Sequence, residues 1–112
     1  MRIGISANGK NLEDTVSEVF ARCPYFLIVE IENGKIKSFE AIENEAGERG
    51  GGAGIFAAQL MAEKDVKAVI TKNIGPRAFD ILRQFNIEVY QGEGKVKETI
   101  EKFIQGKLEK FK

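Results

Sequence analysis

The Asn33-Gly34 pair constrains the fold of this chain more than any other feature. It separates two apolar segments, Tyr25–Ile31 and Lys35–Ile42, that have the length and composition of β-strands. Asn-Gly is the preferred residue pair of the type I′ turn, which joins two antiparallel strands with the correct twist. The sequence therefore predicts a β-hairpin, and the fold must contain an antiparallel pair of strands.

The rest of the chain alternates between strand and helix patterns. A first strand is indicated by Ile3, Ile5 and Ala7, and residues 8–23 are predicted to form a long loop with one helical turn near Val16–Phe20. The remaining predicted elements are a helix over Gly54–Lys64, strands over Lys67–Thr71 and Ile87–Tyr90, a helix that starts at Pro76, and a last helix from Val96 that ends at Gly106.

The predicted order is β-β-β-α-β-α-β-α. Helical crossovers favour parallel pairing with right-handed connections, whereas the hairpin is antiparallel. Together they predict an α/β fold with a mixed five-stranded sheet, its first strand central, covered by helices. The tail, residues 107–112, is predicted to fray.

Composition excludes several classes of function. The 112 residues are predicted to form a single domain, and 17 basic residues balance 17 acidic ones, which argues against nucleic-acid binding. No apolar run reaches the length of a membrane span. A single cysteine excludes an internal disulfide framework and favours a reducing cytoplasm. The absence of histidine removes Ser/His and Cys/His catalytic arrangements.

A glycine-rich loop, Gly47–Gly54, leads directly into the predicted helix Gly54–Lys64. Five of its eight residues are glycine. Such a loop brings bare backbone N–H groups and the positive end of a helix dipole to an anion, although it can also be a flexible connection. No Gly-Lys-Ser/Thr follows, so it is not a Walker loop, and the setting of a dinucleotide fingerprint is missing.

Two predicted strand ends lie where the same ligand would bind. Ligands of open α/β sheets gather beyond the carboxyl ends of the parallel strands. Here those ends are Ser6-Ala7-Asn8 and Thr71-Lys72-Asn73. If the glycine loop lies at the same edge, these segments form one cleft.

Three ordered motifs carry a family resemblance. Phe20–Val29 resembles the segment F-G-R-(A/C)-P-Y-F-x-I-V, Gly50–Leu60 resembles GGGAG-x-x-A-A-x-L, and Asn73–Phe79 resembles G-N-I-G-P-x-A-F. These are motifs of the dinitrogenase iron–molybdenum cofactor biosynthesis domain, a family that includes NifX, NafY and the C-terminal domain of NifB. The resemblance runs from residue 1 to about residue 105. It implies a ribonuclease H-like α/β/α fold and the binding or carrying of iron–sulfur or iron–molybdenum cofactor precursors.

The chain lacks the histidine that is discussed as a cluster ligand in nitrogenase-associated members. Coordination would fall to Cys23, to carboxylates or to ligands that the cofactor already holds. Backbone N–H groups, Arg22 and Arg49 can hold an anionic cluster without a coordinate bond. The candidate metal ligand is Cys23, and the candidate cofactor-binding residues are Ser6, Asn8, Arg22, Cys23, Arg49, Gly50, Gly51, Gly52, Gly54, Asn73 and Gly75.

Each candidate also has a structural interpretation. Cys23 is either a thiolate ligand or a small buried residue, as free cysteine often is. Arg22 and Arg49 either clamp an anion or lie solvated in loops. The turn Asn73–Gly75 either lines the cleft or only begins the helix at Pro76.

The function predicted from these residues is that of a small cytoplasmic binding or carrier protein for an anionic metallocluster, and not of an enzyme. Two alternatives stay open: a phosphate or nucleotide-type anion-binding module, and a ligand-free module that docks on a cofactor-assembly protein. No nucleic acid or membrane partner is expected, and the chain is expected to be a monomer or weak homodimer. Two-metal nuclease chemistry is disfavoured because the first strand carries no acidic residue.

Overall fold

The structure, a computed structural model, describes residues 1–45 and 52–112. The described residues form six strands, three α-helices and one short 3₁₀ turn. Their bounds are β1 Arg2–Ala7, the 3₁₀ turn Phe20–Arg22, β2 Tyr25–Glu32, β3 Lys35–Glu43, α1 Ala53–Glu63, β4 Ala68–Thr71, α2 Pro76–Gln84, β5 Glu88–Gln91, α3 Val96–Ile104 and β6 Glu109–Lys110.

The strands form one mixed sheet in the order β3-β2-β1-β4-β5-β6. β1 pairs antiparallel with β2 and parallel with β4, and β4 pairs parallel with β5. The hairpin turn has positive φ at both Asn33 (54°) and Gly34 (73°), as a type I′ turn requires. The predicted α/β fold, hairpin and central first strand are confirmed.

The predicted strand count was one too low, because the tail does not fray. Glu109 and Lys110 form β6, which pairs antiparallel with Gln91 and Tyr90. The next residue, Phe111, donates its backbone N–H to the Val89 carbonyl at 2.9 Å. A two-residue strand has no alternation that a sequence pattern can detect, so only the tertiary contact reveals it.

The helical turn predicted near Val16–Phe20 also lies slightly later in the chain. It covers Phe20–Arg22, while Val16 forms an isolated antiparallel bridge with Ala7. Both bridge residues are buried, so packing against the end of β1 holds Val16 extended.

Helices cover the two faces of the sheet unequally. α1 and α2 pack on one face through Ala57, Met61, Ala78 and Leu82, and α3 packs on the other through Val96 and Ile100. On the first face, a Cβ added at Gly4 of β1 would lie 2.5 Å from the Met61 sulfur. The absence of a side chain at Gly4 therefore leaves room for the Met61 side chain of α1 to pack against β1. This is the predicted three-layer α/β/α arrangement.

Candidate functional site

The starts of α1 and α2 lie side by side. A Cβ built on Gly54, in the first turn of α1, would lie 3.3 Å from the Ala78 Cβ and 3.8 Å from the Ala78 backbone nitrogen. Each helix precedes one of the parallel strands β4 and β5. Helices that return to parallel strands begin at the carboxyl edge of the sheet, where ligands of such folds bind. Two helix N-termini therefore meet at the edge that the sequence predicted.

Neither helix start is capped by a side chain. The N-cap residues are Gly52 and Gly75, and neither first turn contains an acidic residue. Gly52 has φ of 76°, a conformation that favours glycine. Because the described residues supply no capping oxygen, the N–H groups of the first turns and the positive dipole ends can meet an external anion.

A cavity of about 360 Å³ opens between these helix starts and the 3₁₀ turn, and is called here the helix-start cavity. Its lining contains two arginines and no carboxylate, and the rest is apolar or glycine. The lining residues are Val19, Ala21, Arg22, Gly54, Gly75, Pro76, Arg77 and Ala78. Apolar atoms form most of the cavity surface, and Arg22 and Arg77 supply the charge in its described lining.

Arg77 is an unusual residue at this position. It follows Pro76 in the first turn of α2, where the helix dipole disfavours a cation. Its side chain is exposed, and no carboxylate of residues 1–45 or 52–112 forms an ion pair with it. At an exposed position this opposition is small, so Arg77 is compatible both with a solvated side chain and with one that meets an anion.

Asn44 fixes the turn that carries Arg22. Its side-chain Nδ2 donates to the carbonyls of Ala21 (3.0 Å) and Cys23 (2.8 Å), one on each side of Arg22. Its backbone N–H donates to the Pro24 carbonyl at 2.9 Å. The side-chain Oδ1 is buried and has no hydrogen-bond partner in the described part of the chain. These contacts fix the position of Asn44, which lies three residues before the glycine-rich loop in the sequence.

Cys23 lies beneath the same turn, in the core. Its Sγ donates to the Phe20 carbonyl at 3.2 Å, and only 1% of the residue is exposed. Burial raises the pKa of the Cys23 thiol to about 12, with hydrogen bonds from the backbone and Asn44 opposing the shift. A metal ligand must be a thiolate, so the geometry favours a packing role for Cys23. The ligand role stays a prediction.

The side chains at the ends of β1 and β4 form hydrogen bonds beside the helix-start cavity but do not line it. Ser6 and Thr71 are buried, and their hydroxyl oxygens lie 2.7 Å apart, which joins β1 to β4. Asn8 donates its side-chain N–H to the Thr15 hydroxyl at 2.8 Å. Asn73 donates to the Glu18 carbonyl at 3.1 Å and accepts the Phe20 N–H at 3.0 Å. These bonds hold the 8–19 loop and the 3₁₀ turn against the edge of the sheet.

The structure thus brings together three of the predicted residues, Arg22, Gly54 and Gly75, around one cavity, with Gly52 at the adjacent N-cap. Arg49, Gly50 and Gly51 lie outside the described residues. Sequence reasoning missed Arg77 and Asn44. The signal for Arg77 was a basic residue directly after a helix-starting proline, whereas Asn44 has no sequence signal because its role depends on tertiary contacts.

Two further observations concern other kinds of site. Among residues 1–45 and 52–112, no three cysteine, aspartate or glutamate side chains are grouped as a metal ion would require. Within the same described residues, none of the helices has the length and apolar character needed to cross a membrane.

Comparison with known proteins gives related chains of similar length. A protein of Methanocaldococcus jannaschii known only as uncharacterised, MJ0580, is 43% identical over 112 residues, which are 99% of this chain and 92% of the relative. The orange protein of Desulfovibrio gigas, solved in its apo form, has a TM-score of 0.91 and 30% identity, covering 98% of this chain and 92% of that one.

A second solved structure points to the same group. A Thermotoga protein described as a candidate NifB protein has a TM-score of 0.82 and 35% identity, with 97% of this chain and 91% of that one covered. The family described as dinitrogenase iron-molybdenum cofactor matches residues 1–106. On this match the chain belongs to the dinitrogenase iron–molybdenum cofactor family.

Proposed function

We propose that this chain binds and carries an anionic metallocofactor precursor, of the iron–sulfur or iron–molybdenum class, in the helix-start cavity. The observation that carries the proposal is the pair of uncapped helix starts with Arg22 and Arg77 at one cavity. Family membership supports the cofactor class. A binding or carrier role, rather than catalysis, agrees with a site of backbone N–H groups and guanidinium groups.

Charge, and not coordination by the protein, holds the cluster in this proposal. Charge-assisted hydrogen bonds from guanidinium and backbone N–H groups are roughly twice as strong as neutral ones. The described residues offer no carboxylate or thiolate in the cavity lining. The metals must therefore arrive with their own ligands, such as sulfide, and the protein recognises the outer surface of a preassembled anion.

The experiment is anaerobic reconstitution with ferrous iron, sulfide and molybdate, followed by visible absorption and metal analysis of the desalted protein. We expect Arg77→Gln to reduce the retained absorption at least fivefold. Lys97→Gln is the matched control, since it removes one exposed charge from α3 on the other face of the sheet. Equal retention by the two variants, or no retention by the parent, would contradict the proposal.

Cys23→Ala tests the remaining ligand prediction in the same assay. With the thiol buried and protonated, we expect the absorption to survive this change. Loss of the absorption, with the melting temperature kept, would show that the thiolate binds metal and that charge alone is insufficient.

A second candidate ligand is a phosphate-type anion. Helix N-termini bind phosphate groups by the same backbone N–H groups, and this cavity presents two of them. Titration with inorganic phosphate distinguishes the candidates: saturable binding without metal retention would favour phosphate.

A partner protein is supported by apolar residues near the cavity. Val19 in the lining is 38% exposed, and Ile55 and Phe56 in the first turn of α1 are 37% and 36% exposed. Exposed apolar residues around a polar site are typical of contact surfaces. We propose that a cofactor-assembly protein docks here to deliver or receive the cluster, in the cytoplasm, where the single cysteine stays reduced.

A further inference from the structure

We infer that a groove between α2 and the strands β5 and β6 is a second binding site, for a flat aromatic anion of the nucleoside monophosphate class. This tail groove has a volume of about 710 Å³, within the range of small-molecule sites. It shares α2 with the helix-start cavity but none of its lining residues. The inference goes beyond the proposed function, which concerns the other cavity.

Aromatic and apolar side chains form the inner surface of the tail groove. Ile87 and Val89 lie at its base and are 4% and 1% exposed, while Phe79 and Phe111 are half-buried beside them. The Phe79 and Phe111 rings lie 6.5 Å apart with a tilt of 58°. This leaves ring faces and edges available at the groove, where a nucleobase can stack.

Arg83 adds a second stacking surface and a charge. Its guanidinium carbon lies 5.5 Å from the centre of the Phe79 ring. A guanidinium at this distance from a ring still has N–H donors that can bind a phosphate, in a bidentate manner where the geometry allows. No carboxylate in the described residues forms an ion pair with Arg83.

The lining carries an excess of positive charge. Arg83, Lys110 and Lys112 contribute three cations against one carboxylate, Glu88. Glu88 is already occupied, because it accepts hydrogen bonds from Lys110 Nζ at 2.7 Å and from the Tyr90 hydroxyl at 3.0 Å. In a chain with zero net charge, this local excess favours an anion.

The combination of rings and cations selects the class of ligand. Inorganic phosphate would use the cations but leave the rings exposed to water. A long acyl chain would need an enclosed apolar tunnel, whereas charged side chains line much of this groove. A ring that stacks near Phe79 and Phe111 while its phosphate meets Arg83 and Lys112 uses both parts of the lining.

The experiment is an NMR titration of the ¹⁵N-labelled full chain with AMP. We expect saturable shifts of the backbone amides of Val89 and Phe111, with smaller shifts near Gly54. Adenosine and ribose 5-phosphate, which each lack one half of the ligand, should bind at least tenfold more weakly than AMP. The control for charge loss is Lys97→Gln, on the opposite face of the sheet.

Two variants test the groove itself. Arg83→Gln should weaken AMP binding at least tenfold, and Phe111→Leu, which keeps an apolar side chain, should weaken it at least threefold. Melting temperatures measured in parallel show that both variants are folded. Absence of saturable shifts, equal binding of ribose 5-phosphate, or sensitivity to Arg77→Gln in place of Arg83→Gln would overturn the inference. The last outcome would place the nucleotide in the helix-start cavity.

Discussion

Each end of α2 places one arginine at a cavity, and the helix dipole acts in opposite directions on the two arginines. Arg83 lies in the last turn, where the helix dipole favours a cation, and Arg77 lies in the first turn, where the dipole disfavours one. Helix stability alone accounts for Arg83 but not for Arg77. The case for the helix-start cavity depends on Arg77 together with the paired helix starts, and the case for the tail groove depends on rings, cations and shape taken together.

The two cavities also differ in what supports them. Beneath the helix-start cavity lie buried groups, Cys23 and Asn44, in a hydrogen-bonded arrangement. The tail groove is bordered by a two-residue strand and an exposed ion pair between Glu88 and Lys110. We therefore expect changes near the first cavity to have larger effects than equivalent changes near the second.

The largest effect is expected for alkylation of Cys23. With the thiol pKa raised to about 12, the thiolate fraction at pH 8 falls roughly a thousandfold below that of an ordinary thiol. Reaction with iodoacetamide should be slower than in the urea-unfolded chain by at least this factor. Because the pKa is raised in the folded state, the stabilisation is complete below about pH 9 and is lost as the pH rises toward 12. Comparable rates in folded and unfolded chain would show that the region under Arg22 opens readily.

A smaller effect is expected for Gly54→Leu. The new Cβ would lie 3.3 Å from the Ala78 Cβ, and the rest of the leucine side chain needs further space. We therefore expect α1 to move away from α2, which should lower the free energy of unfolding by about 1 to 3 kcal/mol. Both the melting temperature and the retained cluster absorption should fall. Gln59→Leu, on the exposed side of α1, is the control and should change neither. Unchanged absorption in Gly54→Leu would mean that the paired helix starts do not form the site.

The next largest effect is expected on thermal stability, when alanine replaces each of the two N-cap glycines in turn. Gly52→Ala introduces a Cβ at φ of 76°, and should cost about 1 kcal/mol, or roughly 4 °C in Tm. Gly75→Ala has φ of −74° and no heavy atom within 4 Å of the new Cβ, so its cost should stay below about 0.5 kcal/mol. Thermal unfolding measures both. Equal losses would show that backbone conformation is not what requires glycine at Gly52.

The smallest effect is expected in the tail groove, for Glu88→Gln. Hydrogen bonds from Lys110 and Tyr90 lower the pKa of Glu88, so its stabilisation is present above its unfolded pKa and is lost as the pH falls through the lower folded value. The side chain is about half exposed, and the Tm loss at pH 7 should be under about 3 °C and should fade as the pH falls through the range in which a glutamate carboxyl is protonated. A loss that persists in acid would indicate a packing defect instead.

The order of strands and helices could be predicted because short sequence patterns determine it. The Asn33-Gly34 turn, the proline that begins α2 and the apolar alternation of β1 each act within a few residues, so the strand and helix order followed from them. β6 and the contacts of Asn44 depend on residues far apart in the chain, which no local pattern records. Ser6 and Asn73 were predicted to bind the cofactor, which stays a prediction, and their hydrogen bonds to Thr71 and Glu18 could not be foreseen because the partners are far apart in the chain.

The close approach of Met61 to Gly4 links a buried position of β1 to the packing of α1. Met61 lies seven residues after Gly54 in α1, about 10 Å away along the helix axis. A larger residue at Gly4 would first displace the Met61 side chain, and α1 would have to repack against β1 around it. Substitution at this buried strand position would therefore reach the helix that begins at the helix-start cavity, with every described lining residue of that cavity unchanged.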